Sequence, residues 1–178
     1  NGTVDTSFGV GGKLTTAIGP GDDVGLNVML QADGKILVGG YSSNGSDADV
    51  ALVRYNSDGA LDTTFSGDGI LTTTIGSSAD VGNSVTVQAD GKILVGGYSF
   101  NGADDDFALV RFNSDGTLDS SFSGDGKLTT AIGSGSDQGK TVMAQADGKI
   151  VVAGNSFNGS DFDFAVVRYN SDGTLDTS

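Results

Sequence analysis

The apolar positions of the chain fall in short runs, and the stretches between them are dense in Asp, Gly, Ser and Asn. Near the middle, residues 70–75 (ILTTTI) are rich in branched side chains and predict a strand. Residues 84–88 (SVTVQ) predict a second. Ala89-Asp90-Gly91 follows, and Asp-Gly between two strand patterns is a strong hairpin signal. Residues 92–99 (KILVGGYS) are almost continuously apolar, the pattern of a strand covered on both faces, and Gly96-Gly97 allows close backbone approach. Residues 106–113 (DFALVRFN) predict a fourth strand, with Ala108, Val110 and Phe112 on one face and Phe107, Leu109 and Arg111 on the other. The link that follows, SDGTLDSSFSGDG, carries two Asp-Gly turns and one apolar pin, Phe122. No amphipathic helical period of useful length appears.

This pattern recurs every 57 residues without a gap. Gln31, Gln88 and Gln145 open QADGKILVGG, QADGKILVGG and QADGKIVVAG, while Arg54, Arg111 and Arg168 sit in VRYNSDG, VRFNSDG and VRYNSDG. Phe8 and Phe65 take the place of Phe122 in the other links. The units run 1–57, 58–114 and 115–171, residues 172–178 begin a fourth, and 1–178 reads as a single repeat domain. A fixed period of this size signals a propeller, a solenoid or an array. Four short antiparallel strands per repeat are the pattern of a propeller blade. The expected fold is all-β, with three tandem 57-residue repeats forming β-propeller-like blades; a linear β-solenoid is the alternative.

The phrases Asp-Gly-Lys-Ile-(Leu/Val)-Val, (Leu/Val)-Val-Arg-(Tyr/Phe)-Asn-Ser-Asp-Gly and (Val/Leu)-Asp-(Thr/Ser)-(Thr/Ser)-Phe resemble the delta-60 repeat, across essentially the whole chain. More distantly the chain looks like NHL-type blades. The delta-60 resemblance implies a β-propeller-like bacterial repeat of large secreted or surface proteins, and it supplies no catalytic residues to carry over.

If a blade begins at the strand before QADGK, its strands are 85–88, 92–99, 106–113 and 127–132. The chain then holds three blades, the third short of its last strand, and residues 13–18 are a copy of that missing strand. Closed propellers have about four to eight blades. The N-terminal strand is therefore expected to complete a blade in another molecule, giving a ring or a fibre, or in a longer array of which this chain is a segment. Exposed strand edges need partners in either case.

Composition narrows the chemistry. The net charge is −14, and all 23 acidic residues are Asp, a turn former, with no Glu to favour helix. Clustered Lys and Arg, which nucleic-acid phosphates require, are absent, so no nucleic-acid partner is expected. No apolar run is long enough to span a membrane. The chain has no Cys, His or Trp, which removes disulfides, Cys nucleophiles and His triads. The delta-60 resemblance implies an extracellular or cell-surface localisation, and the expected partner is a second copy or neighbouring repeats. An enzyme is not expected. An Asp pair could run a glycosidase, but near-identical repeats would place it in every blade.

Asp clusters remain as candidates. Asp47 and Asp49, Asp104 and Asp106, and Asp161 and Asp163 alternate in Gly-containing loops behind Asn44, Asn101 and Asn158, which could direct several oxygens at a Ca²⁺ ion. The other reading is a β-turn built from turn-forming residues. No cofactor is required; Ca²⁺ or a carbohydrate ligand is the binding alternative. The second cluster, Asp58/Asp62, Asp115/Asp119 and Asp172/Asp176, lacks the full EF-hand pattern. Arg54, Arg111 and Arg168 lie within apolar strands and are expected to pair with Asp62, Asp119 and Asp176, since a buried charge must be paired. Asp23, Asp80 and Asp137 are expected to cap turns. Asn1, Asn44 and Asn158 stand in glycosylation-type triplets that read more simply as Asn-Gly turns.

Overall fold

The computed structural model describes residues 2–178. Among the described residues, eleven strands form three antiparallel sheets, one per repeat. The first sheet comprises β1 (Asp23–Leu30), β2 (Ile36–Ser43), β3 (Ala48–Tyr55) and β4 (Ile70–Thr73), in that order. The second repeats it with β5 (Asp80–Val87), β6 (Ile93–Phe100), β7 (Asp105–Phe112) and β8 (Lys127–Thr130). The third holds β9 (Asp137–Ala144), β10 (Ile150–Phe157) and β11 (Phe162–Tyr169), and no fourth strand stands beside β11 among the described residues. The blade therefore begins at the strand before QADGK. The first two sheets are four-stranded meanders of the kind that makes propeller blades, and the third has the same order with three strands.

The QADGK turn closes the first hairpin of each blade. Gly34, Gly91 and Gly148 take φ near +85°, which only glycine adopts without strain, and Gln31 N donates to the Lys35 carbonyl at 2.8 Å. The first strand begins earlier than the pattern of residues 84–88 predicts, because β5 continues through Gly82 to Asp80 across a bulge between Gly82 and Ser84. A bulge breaks the two-residue alternation, so its far side reads as polar link. The fourth strand ends early, at Thr73, where the Asp80 carboxylate takes the Ile75 and Gly76 amides out of the ladder.

Residues 13–18 depart from expectation. They form no strand; an isolated bridge between Gly9 and Lys13 is their one ladder contact among the described residues. Their sequence is that of β4 and β8, but no β3-type strand lies alongside to pair with them.

The core lies between blades. Leu37, Val50 and Leu52 of the first blade pack on Val85 and Val95 of the second, and Phe107 and Leu109 of the second pack with Val142 and Val152 of the third. Strand-one residues meet glycines of the preceding blade: a Cβ on Gly96 would stand 2.8 Å from Val142. The link pins Phe65 and Phe122 are fully buried in these two layers. The link also crosses to the next blade, Ser66 N donating to the Asp115 carbonyl and Ser123 N to that of Asp172, both at 2.8 Å.

Truncating the second pin tests this arrangement. Phe122→Ala removes a fully buried ring and is expected to cost about 3–5 kcal/mol of unfolding free energy by denaturant titration; a cost under about 1 kcal/mol would show that the layer between blades is not the core.

Candidate functional site

Each blade carries one ionic cluster where its third strand meets the link. Arg54 Nε donates to Asp62 Oδ2 at 2.7 Å, and Arg111 Nε to Asp119 Oδ2 at 2.7 Å, with all four side chains buried. Each guanidinium lies over the link pin, 4.5 Å from the centroid of Phe65 or Phe122. It also reaches the following blade: Arg54 Nη1 donates to the Ser114 carbonyl and Arg111 Nη1 to the Ser171 carbonyl, both at 2.6 Å. The cluster thus ties a strand, a link and the neighbouring blade together.

The lysine of QADGK joins the same carboxylate. Lys92 Nζ stands 2.7 Å from Asp119 and Lys149 Nζ 2.7 Å from Asp176, with Lys35 3.2 Å from Asp62. This lysine opens a strand in the sequence and shows no partner there, although it recurs in every copy at a fixed distance from the Asp. Burial alone would raise the Asp62 carboxyl; hydrogen bonds from the Thr64 hydroxyl and amide, with Lys35 and Arg54, outweigh it and hold the group well below the usual carboxylate range. Asp119 follows the same pattern through Lys92, Ser121 and Arg111.

The third copy differs in its surroundings. Arg168 pairs with Asp176 at 2.5 Å, but its side chain is 41% exposed against 6% for Arg111. No described blade follows it, and its Nη2 turns to the Ser178 carbonyl at 3.4 Å.

The loop carboxylates converge on an amide. Asn44 Nδ2 donates to Asp47 at 2.6 Å and Asp49 at 2.9 Å; Asn101 does so to Asp104 and Asp106, and Asn158 to Asp161 and Asp163. Asn44 Oδ1 accepts from the Ser46 and Asp47 amides, which completes the turn. Asp49 also accepts from the Thr74 hydroxyl at 2.8 Å, tying the loop to the chain beyond the fourth strand. A cation between these carboxylates would have to displace the asparagine amide. Among the described residues, no group of three or more acidic side chains is placed to hold a metal ion. Asp80 and Asp137 cap the turn before the first strand, accepting from Ile75 N at 2.7 Å and Ile132 N at 2.6 Å, and Asp23 accepts from Ile18 N at 2.9 Å. Asn44 and Asn158 of the glycosylation-type triplets spend their side chains in the loop bonds, and Asn1 lies outside the described residues.

The remaining concave surfaces lie beside the blades. A 480 Å³ groove separates the QADGK turns of the second and third blades, near Gln88, Lys92 and Gln145. A 370 Å³ cleft lies on the open face of the third blade, lined by Ala153, Phe162, Phe164 and Val166. Here the repeats diverge most in burial. Val166 is 67% exposed where its equivalent Leu109 is fully buried, and Phe164 is fully exposed where Phe107 is 1% exposed. The opposite end of the molecule mirrors this: Val28 is 64% exposed where Val85 is 4%.

Comparison with known proteins gives a family. The family model described as "Domain of unknown function (DUF5122) beta-propeller" matches residues 31–65, 88–122 and 145–178, more than half of the chain and once per repeat. No curated protein matches. Among solved structures, an α-L-arabinofuranosidase (CtGH43) from Clostridium thermocellum is similar at 13% identity with a TM-score of 0.47, the match covering 84% of this chain and 47% of that one. The chain spans about half the length of that enzyme.

The two buried clusters can be separated from the third by mutation. Arg111→Ala leaves Asp119 with Lys92 alone and removes the buried guanidinium's contacts with Phe122 and the Ser171 carbonyl, and is expected to cost about 3 kcal/mol, whereas Arg168→Ala, with no such contact to a following blade among the described residues and with Lys149 kept on Asp176, is expected to cost under about 1 kcal/mol because water reaches its guanidinium. Urea titration of both variants checks this; equal costs would remove the following blade as the cause. The lowered Asp62 and Asp119 also set an acid response. Their stabilisation is complete above the ordinary carboxylate value near about 4 and is lost as pH falls through their lowered values. Unfolding free energy from these groups is expected to hold steady from neutral pH to about 5 and to drop below about 4. An Asp119→Asn variant, destabilised at pH 7, should show a shallower drop; an unchanged acid slope would contradict the assignment.

Proposed function

The chain belongs to the DUF5122 β-propeller family, and from that premise we propose that it is a structural and interaction module of the delta-60 type in a secreted or cell-surface protein, whose activity is association with copies of itself. The observation that carries this is the contrast between middle and end blades. One repeat places the same apolar face three times; it is covered twice by the next blade and open on the third, where Phe164 and Val166 face outward. An open apolar sheet face flanked by polar residues marks an interaction site. The ionic residues support the same reading, since Arg54, Arg111, Asp62 and Asp119 are spent in holding blades together.

Solution mass by light scattering, from micromolar to several hundred micromolar chain and with and without a calcium chelator, tests the proposal. Self-association that rises with concentration and is indifferent to chelator is expected. A single-chain species throughout would overturn the reading, and a chelator-dependent mass would move the function to the Asp47/Asp49-type loops.

A further inference from the structure

Resting on the self-association just proposed, we infer that two copies dock head to tail. The open face of the third blade receives the first blade of a second copy, and residues 13–16 of that copy add to β11 as its missing fourth strand. The interface already exists twice inside the molecule. At each internal junction a first-strand valine, Val85 or Val142, lies over the first glycine of the preceding blade's glycine pair, Gly39 or Gly96. Val28 is the remaining copy of that valine, and it is exposed. Ala153 and Gly154 are the remaining copy of that glycine pair, and they line the open cleft.

The N-terminal segment is already held in the required place. Tyr55 Oη donates to Thr16 Oγ1 at 2.7 Å, as Tyr169 Oη does to Thr130 of β8 at 2.8 Å. Leu14 lies against Gly59 as Leu128 lies against Gly173. Residues 13–16 therefore sit against the first blade as the fourth strand of a preceding blade would, with no sheet of their own to join. The registers Val50↔Thr73 and Phe107↔Thr130 then set Phe164 opposite Thr16 of the second copy, and Leu52↔Leu71 sets Val166 opposite Leu14. Arg168 would give up the Ser178 carbonyl for the Ser57 carbonyl of the second copy, the equivalent of Ser114 and Ser171, and would gain Phe8 beneath its guanidinium. Two copies of residues 2–178 joined this way on both faces would carry six blades, within the size range of closed propellers.

Two features resist the docking and make it testable. Ala153 carries a methyl where Gly39 and Gly96 have none, so the first blade of the second copy must seat slightly further out. Residues 2–7 (GTVDTS) also duplicate residues 173–178 (GTLDTS), and both cannot occupy the same place. The C-terminal copy is the better fixed, since Asp176 binds Lys149 and Arg168, while residues 2–7 are exposed and must step aside.

The experiment is sedimentation-equilibrium mass of the full chain beside a Val166→Asp variant and a chain lacking residues 2–7. Val166 is exposed in the single chain, so its variant should fold, which circular dichroism melting checks. The expected result is a dimer, weakened at least about tenfold by Val166→Asp, which would bury an unpaired carboxylate, and tightened severalfold by removal of residues 2–7. A wild-type dimer that Val166→Asp leaves intact would overturn this docking while sparing self-association. A wild-type monomer would overturn both. Weaker association on removing residues 2–7 would overturn the placement of residues 13–16.

Discussion

Everything in this molecule follows from the need to cover both faces of a small apolar sheet. The strands of a repeat alternate short side chains with branched and aromatic ones, and neither face of the third strand is polar enough to meet water: β7 is buried along most of its length. A lone four-stranded sheet of this composition has no stable surface, so the blade exists through its neighbours. Two hydrophobic layers, each shared by adjacent blades, supply the core that no single repeat contains. The stability of a blade is for that reason a property of its junctions, as in other repeat proteins.

The polar residues are arranged to protect these junctions. A guanidinium in an apolar strand needs a carboxylate, and the link provides it eight residues on, in each repeat. The same guanidinium then reaches a carbonyl of the next blade, which converts a local ion pair into a fastener between repeats. The loop aspartates serve local geometry: they gather around an asparagine amide, and the turn is fixed by those bonds. The acidic charge of the chain is thereby distributed over turns, caps and fasteners in every repeat.

Much of this was legible from residue order. The period located the blades, the Asp-Gly pairs located the turns, and the QADGK phrase marked the blade's start. What escaped was whatever depends on a break in the alternation or on partners brought together only by the fold. The start of β5 at Asp80 was hidden because a bulge at Gly82 breaks the alternation. Lys92 read as the first residue of a strand with no partner, because Asp119 is distant in sequence and brought near by the link. Residues 13–18 read as a strand because their side chains are those of one, but a strand needs a pairing partner that the described chain does not place beside them. The placing of the Asn44 amide between Asp47 and Asp49 had no signal beyond the recurrence of the asparagine.

The central claim is that the open end faces are copies of the internal junctions and meet in the same register. The chain has no cysteine, so a Thr16→Cys, Phe164→Cys double variant carries only the two thiols that this register brings opposite each other. Directly opposed strand residues are close enough for a disulfide, which needs Cβ atoms about 4 Å apart. Mild oxidation followed by non-reducing electrophoresis is the measurement. A covalent dimer formed in high yield is expected at concentrations where the wild-type chain associates; free thiols on an associated chain would contradict the docking.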